Sequence, residues 1–149
     1  MEAVIFVGIQ AVGKSTFYQR RFFRTHMRIN LDMLKTRHRE LLFLQTCLET
    51  KQRFVVDNTN LTIKDRQRYI QPAQAAGFRI IGYYFQSKVP DALIRNQSRP
   101  VPERIPEAGI YGAAARLQLP TYAEGFDALY YVSISADGKF SIQEWQNGQ

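Results

Sequence analysis

Apolar and polar positions along the chain fall into short apolar runs separated by longer mixed segments. Ala3–Val7 is a continuous apolar run rich in strand formers, the pattern of a strand buried on both faces. Ser15–Arg24 reads as a helix offering Phe17, Phe22 and Phe23 to a core. Met27–Asn30 predicts a short strand. Met33–Gln52 predicts a long helix with Leu34, Leu41, Leu42, Leu44, Cys47 and Leu48 as its apolar positions. Arg53–Asp57 is another apolar strand, and it ends on a carboxylate. Thr62 with Asp65 three places on resembles a capping box, which opens a helix toward Gly77. Pro72 inside that helix is expected to kink or shorten it.

Phe78–Phe85 is a further strand and Pro90–Arg99 a further helix. Pro100, Pro102 and Pro106 mark a stiff loop before a helix near Glu107–Leu117. Tyr130–Ile134 and Lys139–Trp145 flank Asp137-Gly138, a dipeptide that favours a tight hairpin turn. Strands alternating with helices point to an α/β fold with a mostly parallel sheet flanked by helices. Repeats, low-complexity segments and linkers are not evident.

Length and composition add bounds to that picture. At 149 residues the chain is most simply one compact domain, residues 1–149. Cys47 is the only cysteine, so no internal disulfide forms, and it sits among leucines as a core residue. His26 and His38 lack partners at metal-ligand spacing. No apolar run approaches the roughly 18 residues of a membrane span, and the N-terminus reads as a strand rather than a secretory signal. A cytoplasmic location is the resulting expectation. Twenty basic against 13 acidic residues leave a net charge of +7, which favours polyanionic partners such as nucleotides or nucleic acid. A basic protein without such a partner has the same balance.

The first specific chemistry lies in Gly8–Thr16, GIQAVGKST, directly after the first strand. Gly8, Gly13, Lys14 and Ser15 satisfy GxxxxGK[ST], with a strand before and a helix after. Glycines let the backbone of Ile9, Gln10, Ala11 and Val12 turn its N–H groups inward, and the following helix presents its positive end to an anion. Lys14 reaches β- and γ-phosphates, while the Ser15 hydroxyl suits Mg²⁺, with Thr16 beside it. The loop therefore predicts a nucleoside triphosphate site. No NKxD-type guanine signature accompanies it, so ATP is the expected nucleotide and GTP stays open.

Candidates for the other half of a phosphoryl transfer lie at strand ends. Asp32 follows the Met27–Asn30 strand. In open α/β sheets ligands bind outside the carboxyl ends of strands, so Asp32 can face the phosphate loop. A carboxylate there accepts the proton of an acceptor hydroxyl, or orients it. The same residue also suits N-capping of the helix that follows, and spacing does not choose between the two. Asp57 ends its strand as a Walker B carboxylate does, which suits the Mg²⁺ shell. Asn58, Thr59 and Asn60 bring polar groups to the same edge, either to hold an acceptor or to make a turn. Arg95, Arg99 and Arg104 surround the proline-rich loop, where an arginine that closes over the γ-phosphate stabilises the transition state. Arg20, Arg21, Arg24, Lys35, Arg37 and Arg39 lie on helices flanking the acceptor side, and each equally suits a solvated face.

Taken in order, these motifs resemble the 5′-hydroxyl polynucleotide kinases, the kinase domains of the bacteriophage and animal end-healing enzymes. The resemblance runs from about Val4 to Tyr131 and rests on Gly8–Thr16, on Ile29-Asn30-Leu31-Asp32, and on Asp57–Asn60 followed by Arg66, Arg68 and Tyr69. Arg95-Asn96-Gln97-Ser98-Arg99 and Pro120–Phe126 (PTYAEGF) extend it. It implies a P-loop kinase fold with an AAA-type ATP-binding domain, Asp32 as general base, Arg99 as lid arginine and Lys35 as a contact to an acceptor phosphate. Leu31 stands where the family often has arginine, and Asn58 where the phage enzyme is acidic. A DxDGT phosphatase motif is absent, so no 3′-end chemistry is expected.

The function expected from the sequence is transfer of the ATP γ-phosphate, with Mg²⁺, to the 5′-hydroxyl end of RNA or DNA. The alternatives are a small-molecule or nucleoside kinase, and a nucleotide-binding switch without transferase activity. Oligomeric state is not addressed by any of these features.

Overall fold

The computed structural model describes residues 1–146. Its sheet contains β1 (Glu2–Val7), β2 (Met27–Ile29), β3 (Phe54–Val56), β4 (Arg79–Phe85), β5 (Ala128–Ile134) and β6 (Phe140–Glu144), in the order β2-β3-β1-β4-β5-β6. Neighbouring strands are parallel except β5 and β6, which form the antiparallel hairpin expected around Asp137-Gly138. The chain leaves β1 for one side of the sheet and returns across it to β4. The loop after β1 therefore opens at the point where strand order reverses, the place where such sheets bind ligands.

Helices α1 (Lys14–Arg21), α2 (Leu31–Leu34), α3 (Arg37–Thr50), α4 (Ile63–Ala75), α5 (Val89–Gln97) and α6 (Glu107–Arg116) cover the sheet. Because side chains alternate along a strand, β1 supplies both layers. Ala3, Ile5 and Val7 pack with Leu44 and Cys47 of α3 and Tyr69, Ile70 and Ala73 of α4. Val4 and Phe6 pack with Phe17 and Tyr18 of α1, Ala92 of α5, and Ile110 and Ala113 of α6. Phe17 stands edge-on to Phe85 at 5.3 Å and to Phe140 at 5.0 Å. Pairs of this kind add about 0.5–1.5 kcal/mol each beyond the area they bury. They anchor α1 two residues after Ser15 and so fix the helix that follows the glycine-rich loop.

The long helix expected over 33–52 is two helices. Lys35 takes φ 75°, a left-handed conformation that ends α2. Thr36 then starts α3 by accepting from the Arg39 N–H at 3.2 Å. With the break, Leu44 and Cys47 face the core, whereas Leu41 and Leu42 are exposed. Phe23 also departs from expectation: α1 stops at Arg21 and Phe23 lies in the open at 70% exposure. The Thr62–Asp65 capping box forms with both of its hydrogen bonds, and Pro72 sits in the last turn of α4, which ends at Ala75.

One buried ion pair explains the PTYAEGF stretch. Arg66 has no exposed surface, and its Nε and Nη2 donate to the two Glu124 oxygens at 2.6 and 3.0 Å. Gly125 turns the chain at φ 114°, and Phe126 then reaches the core. There Phe126 lies over Gly82, where an added Cβ would come within 2.7 Å of it. Among the described residues, no helix is long and apolar enough to cross a membrane.

Candidate active site

The glycine-rich loop wraps back on itself. Ala11 and Gly13 hold positive φ of 62° and 95°. The second suits glycine, and a Cβ at Gly13 would also press on Ile134 and Phe140 at 3.0 and 3.1 Å. Gly8 N–H donates to the Thr59 carbonyl at 3.0 Å, and Ile9 N–H to Ser87 Oγ at 3.1 Å. Lys14 Nζ donates to the carbonyls of Gly8 at 2.8 Å and Ile9 at 2.5 Å. Val12 is buried, Thr16 exposed, and Gln10 Oε1 is buried with no hydrogen-bond partner.

The segment from Asp57 to Asn60 stitches this loop to its neighbours. Asn60 Nδ2 donates to the Phe6 carbonyl at 2.7 Å. Asn58 Oδ1 accepts from Leu31 N–H at 2.8 Å, and its Nδ2 donates to Glu40 Oε2 at 3.0 Å and Tyr69 OH at 3.2 Å. These bonds turn Asn58 inward as a strut beneath α2, not outward as the expected acceptor contact. Thr59 is half-buried and contributes its carbonyl to Gly8.

Asn30, not Asp32, caps α2. Its Oδ1 accepts from Met33 N–H at 2.9 Å, while its Nδ2 donates to the Asp57 carbonyl at 2.6 Å. The alternative that Asp32 serves as N-cap is thereby set aside. Asp32 lies in the first turn of α2, exposed, with its carboxylate not engaged as a cap. Lys35 is exposed at the other end of that helix.

Electrostatics at Lys14 register what converges on the loop. Burial pulls the ammonium down from an ordinary 10.5 to about 8. Asp57 opposes that shift, Arg99 adds to it and Asp32 opposes it. Asp57, Arg99 and Asp32, from three separate segments, thus all act on the same ammonium. Arg95 lies in the last turn of α5, half-buried like Arg99. The loop carrying Arg99 is closed by Asn96, which exchanges two hydrogen bonds with Ile105 at 2.7 and 2.9 Å, and Arg104 Nε donates to the Arg99 carbonyl at 2.9 Å.

The donor set suits a hard divalent cation. Ser15 Oγ and Asp57 Oδ2 are 3.1 Å apart, and Asp57 is 2% exposed. One hydroxyl and one carboxylate match Mg²⁺, which prefers to complete its shell with phosphate and water. Among the described residues, no group of three or more His, Cys, Asp or Glu forms a denser metal cage.

Arg28 went unrecognised in the sequence. Its Nε donates to Asp57 Oδ2 at 2.9 Å and its Nη2 to Ser15 Oγ at 3.1 Å. The signal was period-two alternation: Ile29 enters one core layer, so Arg28 must face the other, toward α1. The network of Arg37, Glu40, Tyr69 and Asn58 also escaped notice. Buried Glu40 accepts from Arg37 at 2.8 Å and from Tyr69 OH at 2.9 Å. Arg20 and Arg21 lie over the rings of Phe140 and Phe17 at 5.5 and 5.4 Å.

Comparison with known proteins agrees with this geometry. A family model described as AAA domain matches residues 4–120. The chain is 32% identical over 129 residues to a bifunctional polynucleotide phosphatase/kinase of Schizosaccharomyces pombe; the match covers 84% of this chain and 32% of that protein, so the chain spans about a third of the relative's length. Two solved structures share the fold at low identity. Kti12 of Chaetomium thermophilum, in complex with ADP-AlF3, gives a TM-score of 0.66 at 13% identity, covering 88% of each chain. A gluconokinase from Sinorhizobium meliloti 1021 gives 0.62 at 15% identity, covering 89% of this chain and 82% of the other. The glycine-rich loop, the parallel sheet and the match over residues 4–120 lead to one conclusion: the chain belongs to the AAA domain family and carries its P-loop kinase fold.

Proposed function

We propose that this protein transfers the γ-phosphoryl group of ATP to the 5′-hydroxyl end of a polynucleotide. The observation that carries the reading is Asp32, exposed in the first turn of α2 and not used as its cap, on the helix that follows β2 at the same sheet edge as the Ser15–Asp57 pair. A nucleotide switch has no use for an exposed carboxylate that caps no helix at this edge of the sheet; a transferase needs one for its acceptor.

In this reading the loop amides and Lys14 hold the β- and γ-phosphates. Lys14 leaves the carbonyls of Gly8 and Ile9 to do so. Ser15 and Asp57 hold Mg²⁺, which when bound supplies charge neutralisation at the phosphates. Asp32 takes the proton of the 5′-hydroxyl as its oxygen bonds to the γ-phosphorus, and the bond to the β,γ-bridging oxygen breaks to release ADP. Arg99, with Arg95 near it, meets the charge that spreads over the equatorial oxygens. Lys35, exposed at the end of α2, suits an acceptor phosphate, and Thr59 suits the acceptor's approach over β3. Asn58 acts by positioning: it holds Leu31 and hence the first turn that bears Asp32. The name of the S. pombe relative supports a polynucleotide as acceptor, and so does the net charge of +7.

The test offers γ-labelled ATP with 5′-hydroxyl RNA and DNA oligonucleotides beside a panel of nucleosides and sugars. Label is expected at oligonucleotide 5′ ends, with an acceptor KM that rises steeply with salt as neutralised phosphates release counterions. Label confined to a nucleoside or sugar, with little salt dependence, would replace this reading with that of a small-molecule kinase.

A further inference from the structure

We propose that Arg28 is a displaceable counter-cation at the divalent-metal site, so that Mg²⁺ arriving with a nucleotide must exchange with its guanidinium. The proposal rests on the reading of Ser15 and Asp57 as the metal-holding pair and extends it to a residue outside the phosphate loop.

Arg28 is joined to both members of that pair at once. Nε donates to Asp57 Oδ2 at 2.9 Å and Nη2 to Ser15 Oγ at 3.1 Å. Asp57 Oδ2 also accepts from Ser15 Oγ at 3.1 Å, so one carboxylate oxygen gathers the bonds through which a metal ion would be held. Asp57 is buried, with a side chain 1% exposed, while the Arg28 side chain is 26% exposed. A guanidinium and a divalent cation on one buried carboxylate oxygen repel each other in a poorly screened setting. The two cations are therefore alternatives at Asp57.

The structure also leaves room beside Arg28. A cavity of about 460 Å³ lies beside it, lined by Ser15, Tyr18, Gln19 and Phe23 as well as Arg28 itself. The guanidinium carbon already stands 6.0 Å from the Tyr18 ring centroid, and Nη1 lies 4.0 Å from Met33 Sδ. The guanidinium is already over the Tyr18 ring, so in this proposal it keeps that cation–π contact when it leaves Asp57 for the cavity. Arg66, which also meets a buried carboxylate, has no such freedom: it grips both oxygens of Glu124 and has no exposed surface.

The exchange has a measurable consequence. Holding Asp57 with an internal cation weakens the metal by the strength of the bonds given up. Removing the guanidinium should then tighten metal by about tenfold, the scale of one charge-assisted hydrogen bond. The experiment uses the full chain and no acceptor, so its result is independent of whether a polynucleotide is the substrate. Binding of the non-hydrolysable analogue AMP-PNP is titrated by calorimetry across a Mg²⁺ series and in EDTA, for the parent and Arg28→Met. The expected result is a Mg²⁺ half-saturation about tenfold lower in Arg28→Met. An unchanged or higher half-saturation overturns the proposal, because Arg28 is then no competitor of the metal.

A second measurement needs no variant. In the parent protein saturated with AMP-PNP in EDTA, the NMR signal of the Arg28 Nε–Hε group is followed while Mg²⁺ replaces the chelator. Loss of the Asp57 bond should move that signal on Mg²⁺ addition. A signal that stays in place through Mg²⁺ saturation overturns the proposal whatever the variant does.

Discussion

Arg66 and Arg28 each meet a buried carboxylate, yet the two regions around them differ in every other respect. Around Arg66, Nε and Nη2 take both oxygens of Glu124, and Nη1 donates to the carbonyls of Asn60 and Leu61 at 2.9 and 3.2 Å. The pair is dry and four hydrogen bonds hold the guanidinium, so it fastens α4 to the segment before β5. Around Arg28 the contact is one-pronged, the partner oxygen is shared with Ser15, and the guanidinium borders a cavity. The same residue types thus give a fixed joint in the frame and an exchangeable contact at the site. What separates them is how many of the arginine's bonds go to the carboxylate and whether solvent reaches the guanidinium.

That contrast is open to attack from both sides. The largest effect is expected at the phosphate loop, where Lys14→Ala should remove detectable phosphoryl transfer; measurable turnover in a purified, folded variant would mean that the ammonium is dispensable. Next comes the frame. Glu124→Ala strands a buried guanidinium, and chemical denaturation should show a loss of about 3–5 kcal/mol, a large share of the stability of a domain this size. A loss below about 1 kcal/mol would erase the distinction between the two arginines.

Smaller again is Asn58→Ala, which leaves Glu40 and the Leu31 N–H short of partners and should cost about 1–3 kcal/mol in the same measurement. Because Asn58 supports α2, transfer should fall in that variant more than AMP-PNP affinity does. Equal losses would place Asn58 in nucleotide binding instead.

The smallest effect concerns protons. Burial lowers the Lys14 pKa to about 8 from an ordinary 10.5. Between those values the folded protein has released a proton that the unfolded chain keeps, so this group makes stability rise with pH across that window. Phosphate anions favour the charged ammonium, so nucleotide binding above pH 8 should take up a fraction of a proton. Calorimetry in buffers of different ionisation heat reads that uptake directly, and proton release would reverse the assignment.

Much of this frame was legible along the chain. Continuous apolar runs marked β1, β3 and β4, and the Thr62–Asp65 pair marked the start of α4. The glycine-rich loop announced the phosphate site through its own spacing, because the chemistry there is local. Three features were not legible, each for a physical reason. The break at Lys35 depends on a left-handed residue that is not glycine, which composition does not signal. The inward turn of Asn58 depends on Glu40 and Tyr69, partners from distant segments. Alternation tells only which face of the sheet Arg28 takes; its meaning lies in Asp57, which joins it only when β2 pairs with β3.

The central claim is that Asp32 faces the triphosphate across a space that an acceptor alcohol can enter. Asp32→Asn keeps the size and a polar head while removing the negative charge and the base. Single-turnover transfer to a 5′-hydroxyl oligonucleotide, measured beside AMP-PNP affinity on the same preparation, tests it directly. The account expects transfer to fall by about 10²–10⁴ with nucleotide affinity within about twofold of the parent. Transfer at the parental rate, or a matching collapse of nucleotide binding, would contradict it.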